Sequence, residues 1–90
     1  MNLQVRYARS FLQDMKKIDS PAYEQVYDFV FVKFPEINHL YEIHGLRQLG
    51  SNAIFYRFPL YEYIIAIEVT GQIIKFIRIL PKPLISEVPI

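Results

Sequence analysis

Leu3, Val5 and Tyr7 alternate with Gln4 and Arg6, and this period of two predicts a short half-buried strand. The period then changes. Phe11, Leu12, Met15 and Ile18 fall on one helical face, with Asp14, Lys16, Lys17 and Asp19 largely off it. Ser10, with Gln13 three residues on, has the pattern of a capping box opening this helix. Ser20 and Pro21 start a second helix, where Pro suits the first turn. Its apolar positions Tyr23, Val26, Tyr27, Val30, Phe31 and Phe34 are three and four apart, which marks a core-facing stripe. Pro35 is expected to end it. In residues 35–52 the apolar positions are interrupted by Gly45 and by Gly50, Ser51 and Asn52. That predicts a loop wrapping the core, with a helical turn at 37–41.

From Ala53 the period of two returns. One strand is expected over Ala53–Phe58, a turn at Pro59 and Leu60, a long strand over Tyr61–Val69, a turn at Thr70 and Gly71, and a last strand over Gln72–Leu80. In the middle strand Tyr63, Ile65, Ile67 and Val69 share one face, and Glu62, Ile64, Ala66 and Glu68 share the other. Strict alternation in the last strand sets Ile73, Lys75, Ile77 and Ile79 against Gln72, Ile74, Phe76, Arg78 and Leu80. Pro81, Lys82 and Pro83 then take the chain out of the sheet, since proline cannot donate to a ladder. The order is β-α-α-β-β-β. It predicts an α+β fold with an N-terminal helical hairpin packed on a mainly antiparallel sheet.

Composition narrows the chemistry. The 90 residues read as a single domain, 1–90, with 52% hydrophobic residues to fill one core. There is no cysteine, which excludes disulfide scaffolds, thiol catalysis and cysteine zinc sites. His39 and His44 are five apart, which does not place them on one helical face, so no metal site is expected and no cofactor. No apolar run approaches the roughly 18 residues of a membrane span, and the N-terminus shows no apolar leader; a cytoplasmic protein with no membrane association is expected. The net charge is +1, but residues 47–82 hold Arg47, Arg57, Lys75, Arg78 and Lys82 against Glu62 and Glu68. That half is therefore the better candidate for an anionic partner, the alternative on charge alone being the ordinary solvation of a sheet.

No nucleophile elbow or phosphate-cradling glycine loop is present. Glu62 and Glu68 lie six strand residues apart, roughly 20 Å, too far for a working pair. What remains is a set of cations in the sheet region. Arg57 and Arg78 lie on strands that an antiparallel arrangement can bring together, Lys82 follows the last strand, and Arg47 precedes the first. Tyr56, Tyr61 and Tyr63 are interleaved. Guanidinium groups bind phosphate through paired hydrogen bonds and tyrosine rings stack on bases. An RNA-binding or RNA-cleaving surface is thus chemically available without His, Cys or metal. The alternative is that Arg57 and Arg78 pair with Glu62 and Glu68 as cross-strand ion pairs.

At these residues the chain resembles the RelE/ParE superfamily of bacterial toxins from type II toxin–antitoxin modules, over roughly residues 3–82. Val5 to Phe11 resembles the family's first strand and helix start, and Asp14 to Ile18 its D-L-K-K-L. Ile37 to Leu40 and Ile43 to Leu46 are similar to its N-L and L-x-G segments. Phe55 to Phe58 resembles the Y-R-x-R strand, and Ile74 to Leu80 the strand ending V-x-R-x-L-H-R. The resemblance implies the β-α-α-β-β-β fold and a toxin that cleaves mRNA in the ribosome without a metal. In that reading Arg57, Arg78 and Lys82 serve catalysis, and Arg47, Tyr56, Tyr61 and Lys75 bind RNA. It also implies a cognate antitoxin and with it a toxin–antitoxin hetero-oligomer. Independently, Tyr41, Tyr61 and the apolar segment Leu84–Ile90 are expected to leave excess apolar surface, which suits a partner helix or a homodimer. The family's other branch poisons DNA gyrase, so a non-catalytic binding module, ParE-like or a degenerate toxin, is the second reading. The chain departs from the family pattern at Ile64, where an Arg is usual, and at Pro81 to Ser86, where a Tyr or His is expected. The family's general acid is thus missing unless Tyr61 or Tyr56 replaces it.

Overall fold

The computed structural model describes residues 3–51 and 54–82. β1 (Gln4–Tyr7), α1 (Arg9–Met15) and α2 (Ser20–Tyr27) come first; β2 (Arg47–Gln48), β3 (Phe55–Leu60), β4 (Tyr63–Thr70) and β5 (Ile73–Pro81) follow. The strands form one sheet in the order β1-β5-β4-β3-β2. β1 runs parallel to β5 and the other neighbours are antiparallel. The expected α+β class and mainly antiparallel sheet are present. β2 is an added strand, whose two residues are too few to carry a readable period.

The helical region departs from simple amphipathic reading in three places. The capping box at Ser10 does not form: α1 is capped at Ala8 with no side-chain bond, and the Ser10 hydroxyl donates to the Ile77 carbonyl instead, at 2.7 Å. Leu12 is left exposed, while Asp14 is buried beside Phe11 and Met15. Pro35 does not end the second helical run. Beyond Tyr27 the chain continues in a wider π winding over Asp28–Lys33 and a 3-10 turn over Phe34–Glu36, with Pro35 inside the turn. The π winding joins residues five apart. Phe34 N–H donates to Phe29 C=O, and Lys33 Nζ lies 3.4 Å from Asp28 Oδ2. It also turns Phe29 toward the sheet, with ring centroids 6.0 Å from Phe58 and 6.1 Å from Phe34.

Residues 37–51 wrap the core as expected, but the helical turn lies at Leu40–Glu42. The Glu42 carboxylate reaches back to accept the N–H groups of Asn38 and His39. The β3–β4 turn falls at Tyr61 and Glu62, two residues later than expected. Pro59 and Leu60 belong to β3. By strand alternation Pro59 points its missing N–H to the outer edge, where β2 has already ended, so no ladder bond is lost. Ala53, expected to open the strand, and the apolar segment Leu84–Ile90, expected to leave excess apolar surface, lie outside the described residues.

Both helices cover one face of the sheet. Phe11, Met15, Val26, Val30 and Phe34 meet Phe58, Ile65, Ile67, Ile74, Phe76 and Ile79, all buried. Phe76 is the hub, with rings of Tyr7, Phe11 and Phe34 at 5.4, 5.1 and 4.8 Å. Burial pushes the Tyr7 phenol above its ordinary value, with the nearby Tyr27 adding to the effect, and its hydroxyl donates to the Val30 carbonyl.

One irregularity decides where the cations lie. In the β4–β5 ladder Ile67 pairs with Phe76, but Ala66 pairs with Arg78. Ile77 is therefore an extra residue, a β-bulge. Strict alternation would send Arg78 to the side of Ile74 and Phe76, into the core. The bulge reverses the phase, so Ile79 is buried and Arg78 is exposed. A bulge that re-aims a side chain in this way is a known device beside functional sites.

Candidate functional site

Arg47 is directly opposite Arg57, Arg57 is opposite Ala66, and Ala66 is opposite Arg78. Opposed residues share a face, so three arginines form a row across four strands on the face away from the helices. Strand spacing places Arg47 about 5 Å and Arg78 about 10 Å from Arg57 along the row. The small Ala66 between them leaves room above the sheet. Arg6 and Lys75 are also paired, in the parallel ladder, and lie on the same face, where Glu68 opposes Lys75. Among the described strand residues, five cations thus share this face with one carboxylate, Glu68. A net charge of +1 conceals this because most acidic groups lie in the helices and loops.

The arginines differ in what they already touch. Arg47 and Arg57 are exposed and form no ion pair among the described residues. They line a shallow depression of about 300 Å³ with Gly45, Phe58, Pro59 and Ile64. Arg78 is held. Its Nε donates to Asp14 Oδ2 at 2.6 Å and its Nη2 to Oδ1 at 3.2 Å. Asp14 Oδ2 also accepts the Ile79 N–H at 3.0 Å. Burial alone would raise the Asp14 pKa. The Arg78 hydrogen bond, the Ile79 N–H and the charges of Arg78 and Lys17 outweigh it and hold it below its ordinary value. Arg78 is pushed further up by the same pair. The expected cross-strand pairing of Arg57 and Arg78 with Glu62 and Glu68 is thus replaced. Arg78 takes Asp14 from a helix, and Arg57 faces Ala66 and Arg47.

Asp14 reaches Arg78 because β5 outruns its neighbour. β1 ends at Tyr7, and from Ile77 onward the edge of β5 meets α1. The Ala8 N–H bonds Phe76 C=O at 2.8 Å, Ser10 takes the carbonyl of the bulge residue Ile77, and Asp14 takes the Ile79 N–H. Side chains of α1 continue the ladder that β1 leaves unfinished. A second hollow of about 300 Å³ opens here, lined by Asp14, Lys17, Ile18, Tyr63, Arg78, Ile79, Leu80 and Pro81.

The remaining expected site residues fall in different places. Lys75 is exposed on the cationic face. Lys82 follows β5, exposed, its N–H bonded to Glu62 C=O at 2.9 Å. Tyr61 is exposed in the neighbouring turn at φ 55, the one positive-φ residue other than glycine among the described residues. Tyr56 is opposite Ile67, half-buried against the core on the other face, and does not join the row. Tyr63 is also on the core side and reaches the second hollow. His39 stacks on Tyr41, centroids 5.0 Å apart, at the turn of Leu40–Glu42 and outside the strands. Sequence reasoning missed Ser10 and Asp14. A signal for Asp14 was present: positions 11, 14, 15 and 18 follow the i, i+3, i+4, i+7 spacing of one helical face.

No family model and no curated protein sequence matches the chain. Solved structures do match. The toxin–antitoxin complex RelBE2 from Mycobacterium tuberculosis contains a chain that is 13% identical, with TM-score 0.71 over 91% of this chain and all of that one. A chain in the RelB–RelE antitoxin–toxin complex from Methanococcus jannaschii is 21% identical, with TM-score 0.67 over 84% of this chain and 88% of that one. A chain in the archaeal RelE–RelB complex from Pyrococcus horikoshii is 15% identical, with TM-score 0.60 over 90% and 96%. The helical layer, the five-stranded sheet and these likenesses together give the chain a RelE-like fold.

Proposed function

We propose that the chain is the toxin of a type II toxin–antitoxin module and acts as a ribosome-dependent mRNA endonuclease. The observation that carries this reading is the arginine row on the open face, completed there by the bulge at Ile77, which turns Arg78 outward. The RelE-like fold is shared with chains of toxin–antitoxin complexes and supports the same reading. In cleavage of RNA by its own 2′-hydroxyl, the O2′–P bond forms as the P–O5′ bond breaks; the 2′-hydroxyl proton passes to solvent water, the leaving 5′-oxygen needs an acid, and the charge that builds on the phosphoryl oxygens needs cations. Arg57 and Arg78 supply the last, as guanidinium forks that match phosphate, and Lys82 assists from the end of β5. Arg47 and Lys75 hold flanking phosphates. Of the two tyrosines able to replace the family's missing acid, Tyr56 faces the core, so Tyr61 takes that role. No metal or other cofactor enters this scheme. A cognate antitoxin masks the face. Ile73 and Leu80, both exposed, sit beside the cations as apolar contacts for it.

Primer extension on an mRNA translated in vitro tests the proposal. Cleavages are expected only with ribosomes, and are expected to vanish in the Arg57→Ala/Arg78→Ala double variant. Intact mRNA in the presence of folded protein refutes the nuclease and leaves the non-catalytic binding module, with gyrase and antitoxin as the next partners to test.

A further inference from the structure

The Asp14–Arg78 pair meets side-on. It uses the Nε–H and one Nη2–H of Arg78, two of the five donors of a guanidinium. The other three, two on Nη1 and one on Nη2, form the end of the fork and bond no other side chain among the described residues, which leaves them to a second bidentate partner. Exposure separates the two residues: the Asp14 side chain is 7% exposed and that of Arg78 is 45% exposed. The free end of the fork is therefore the solvent side. The carboxylate cannot swing with it, because Asp14 Oδ2 also accepts the Ile79 N–H and α1 is tied to β5 by Ser10. Arg57, by contrast, has no such anchor among the described residues.

We propose that Asp14 is a positioning residue: it fixes the Arg78 guanidinium so that its end-on pair of N–H donors meets one phosphate of a bound RNA strand. This rests on the RNA reading of the face and assigns it an orientation. A purely structural role for Asp14, closing the edge of β5, makes a different prediction. Removing a carboxylate from a cationic face strengthens its attraction for a polyanion. If Asp14 only closes the edge, a folded Asp14→Asn protein binds RNA as well as wild type or better. If it positions Arg78, the same variant binds less well despite its extra positive charge.

The experiment uses the full chain and a mixed-sequence single-stranded RNA oligonucleotide, with affinity from fluorescence anisotropy at fixed salt. Circular dichroism establishes that each variant is folded. Asp14→Asn is expected to weaken binding by roughly three- to tenfold, a coupling of the size found within one hydrogen-bonded pair. In an Arg78→Ala background it is expected to weaken binding no further. Asp14→Glu keeps the charge, displaces the carboxylate, and is expected to weaken binding as well. If Asp14 variants do not fold, nitrogen-15 NMR of the wild-type guanidinium replaces them. Titrating RNA is expected to move the Arg78 Nη1 resonances and leave Nε–H in place. Equal or tighter binding by Asp14→Asn, the same loss without Arg78, displacement of Nε–H by RNA, or no binding by wild type each overturns the inference. Arg78-dependent, Asp14-dependent binding by a protein that leaves ribosomal mRNA intact preserves it while retiring the nuclease.

Discussion

Replacing Gly45 with alanine tests how the loop before β2 is seated. Gly45 has φ +78, and a Cβ built there lies 2.7 and 2.9 Å from Cδ and Cγ of Pro59. Two costs add. A left-handed conformation costs an alanine about 1–2 kcal/mol. Overpacking against a neighbour that cannot yield costs about 1–3 kcal/mol, and a proline ring within a paired strand has little room to yield. Against this, alanine stiffens the unfolded chain by about 0.4–1 kcal/mol. The net expectation is a loss of roughly 2–4 kcal/mol, a large part of the roughly 5–13 kcal/mol expected for 90 residues. At about 4–8 °C per kcal/mol for a domain of this size, the midpoint falls by at least about 8 °C. Gly71 is the control. Its φ is +60, but nothing lies within 4 Å of an added Cβ, so Gly71→Ala carries the conformational cost alone, about 1 kcal/mol or less after the unfolded-state gain. Urea and thermal unfolding of both variants isolate the Pro59 contact, and Pro59→Ala combined with Gly45→Ala should recover it. Loss by Gly45→Ala within about 0.5 kcal/mol of Gly71→Ala refutes the steric argument, that being the usual scatter of independent substitutions.

Arg47→Ala and Arg57→Ala should each weaken RNA binding and lower the slope of log affinity against log salt by about 0.7, the value for one phosphate contact on a single strand; an unchanged slope removes that residue from the phosphate track. Stability should respond to pH at both ends. The Asp14 contribution is complete above its ordinary value of 3.8 and is lost as pH falls toward its lower folded value, so thermal midpoints between pH 5 and 3 should fall less steeply for Asp14→Asn. The raised Tyr7 phenol contributes below 10.0 and loses its contribution as pH rises past it, a fall that Tyr7→Phe should reduce in the same assay. Ser10→Ala leaves the Ile77 carbonyl without its partner and should cost about 1–3 kcal/mol in urea unfolding. Phe76→Ala removes the ring that Tyr7, Phe11 and Phe34 share and should cost about 3–5 kcal/mol, enough to populate unfolded protein at room temperature if the fold is at the weak end of its range.

The strands were legible where alternation ran long. The eight residues of β4 put Ile65 and Ile67 in the core and Ala66 on the open face, as period two requires. Alternation failed at Ile77, since one inserted residue reverses every face after it and leaves no local trace in composition. The row of Arg47, Arg57 and Arg78 was therefore visible as a set of cations but not as a geometry. Asp14 was obscured for a different reason. A carboxylate is ordinarily read as solvent-facing, and its burial depends on an arginine and a backbone N–H more than sixty residues away. The misplaced β3–β4 turn followed from treating Pro59 as a breaker. A strand accepts proline wherever its nitrogen faces a side with no paired neighbour, as beyond the short β2, and nothing within the strand says which way that is.

The join between β1 and β5 sets an order on biosynthesis. The first strand has no neighbour until the last one exists, and Asp14 waits 64 residues for Arg78. At about 5–20 residues per second, that is roughly 3–13 s of translation. During that interval the α1 carboxylate has no guanidinium, the bulge carbonyl has not been made, and the arginine row is incomplete. Distant contacts of this kind also slow folding, because a long loop must close before its ends are rewarded. A nascent chain built in this order carries no assembled cationic face until β5 has been made, because Arg78 and the bulge that turns it outward both lie there.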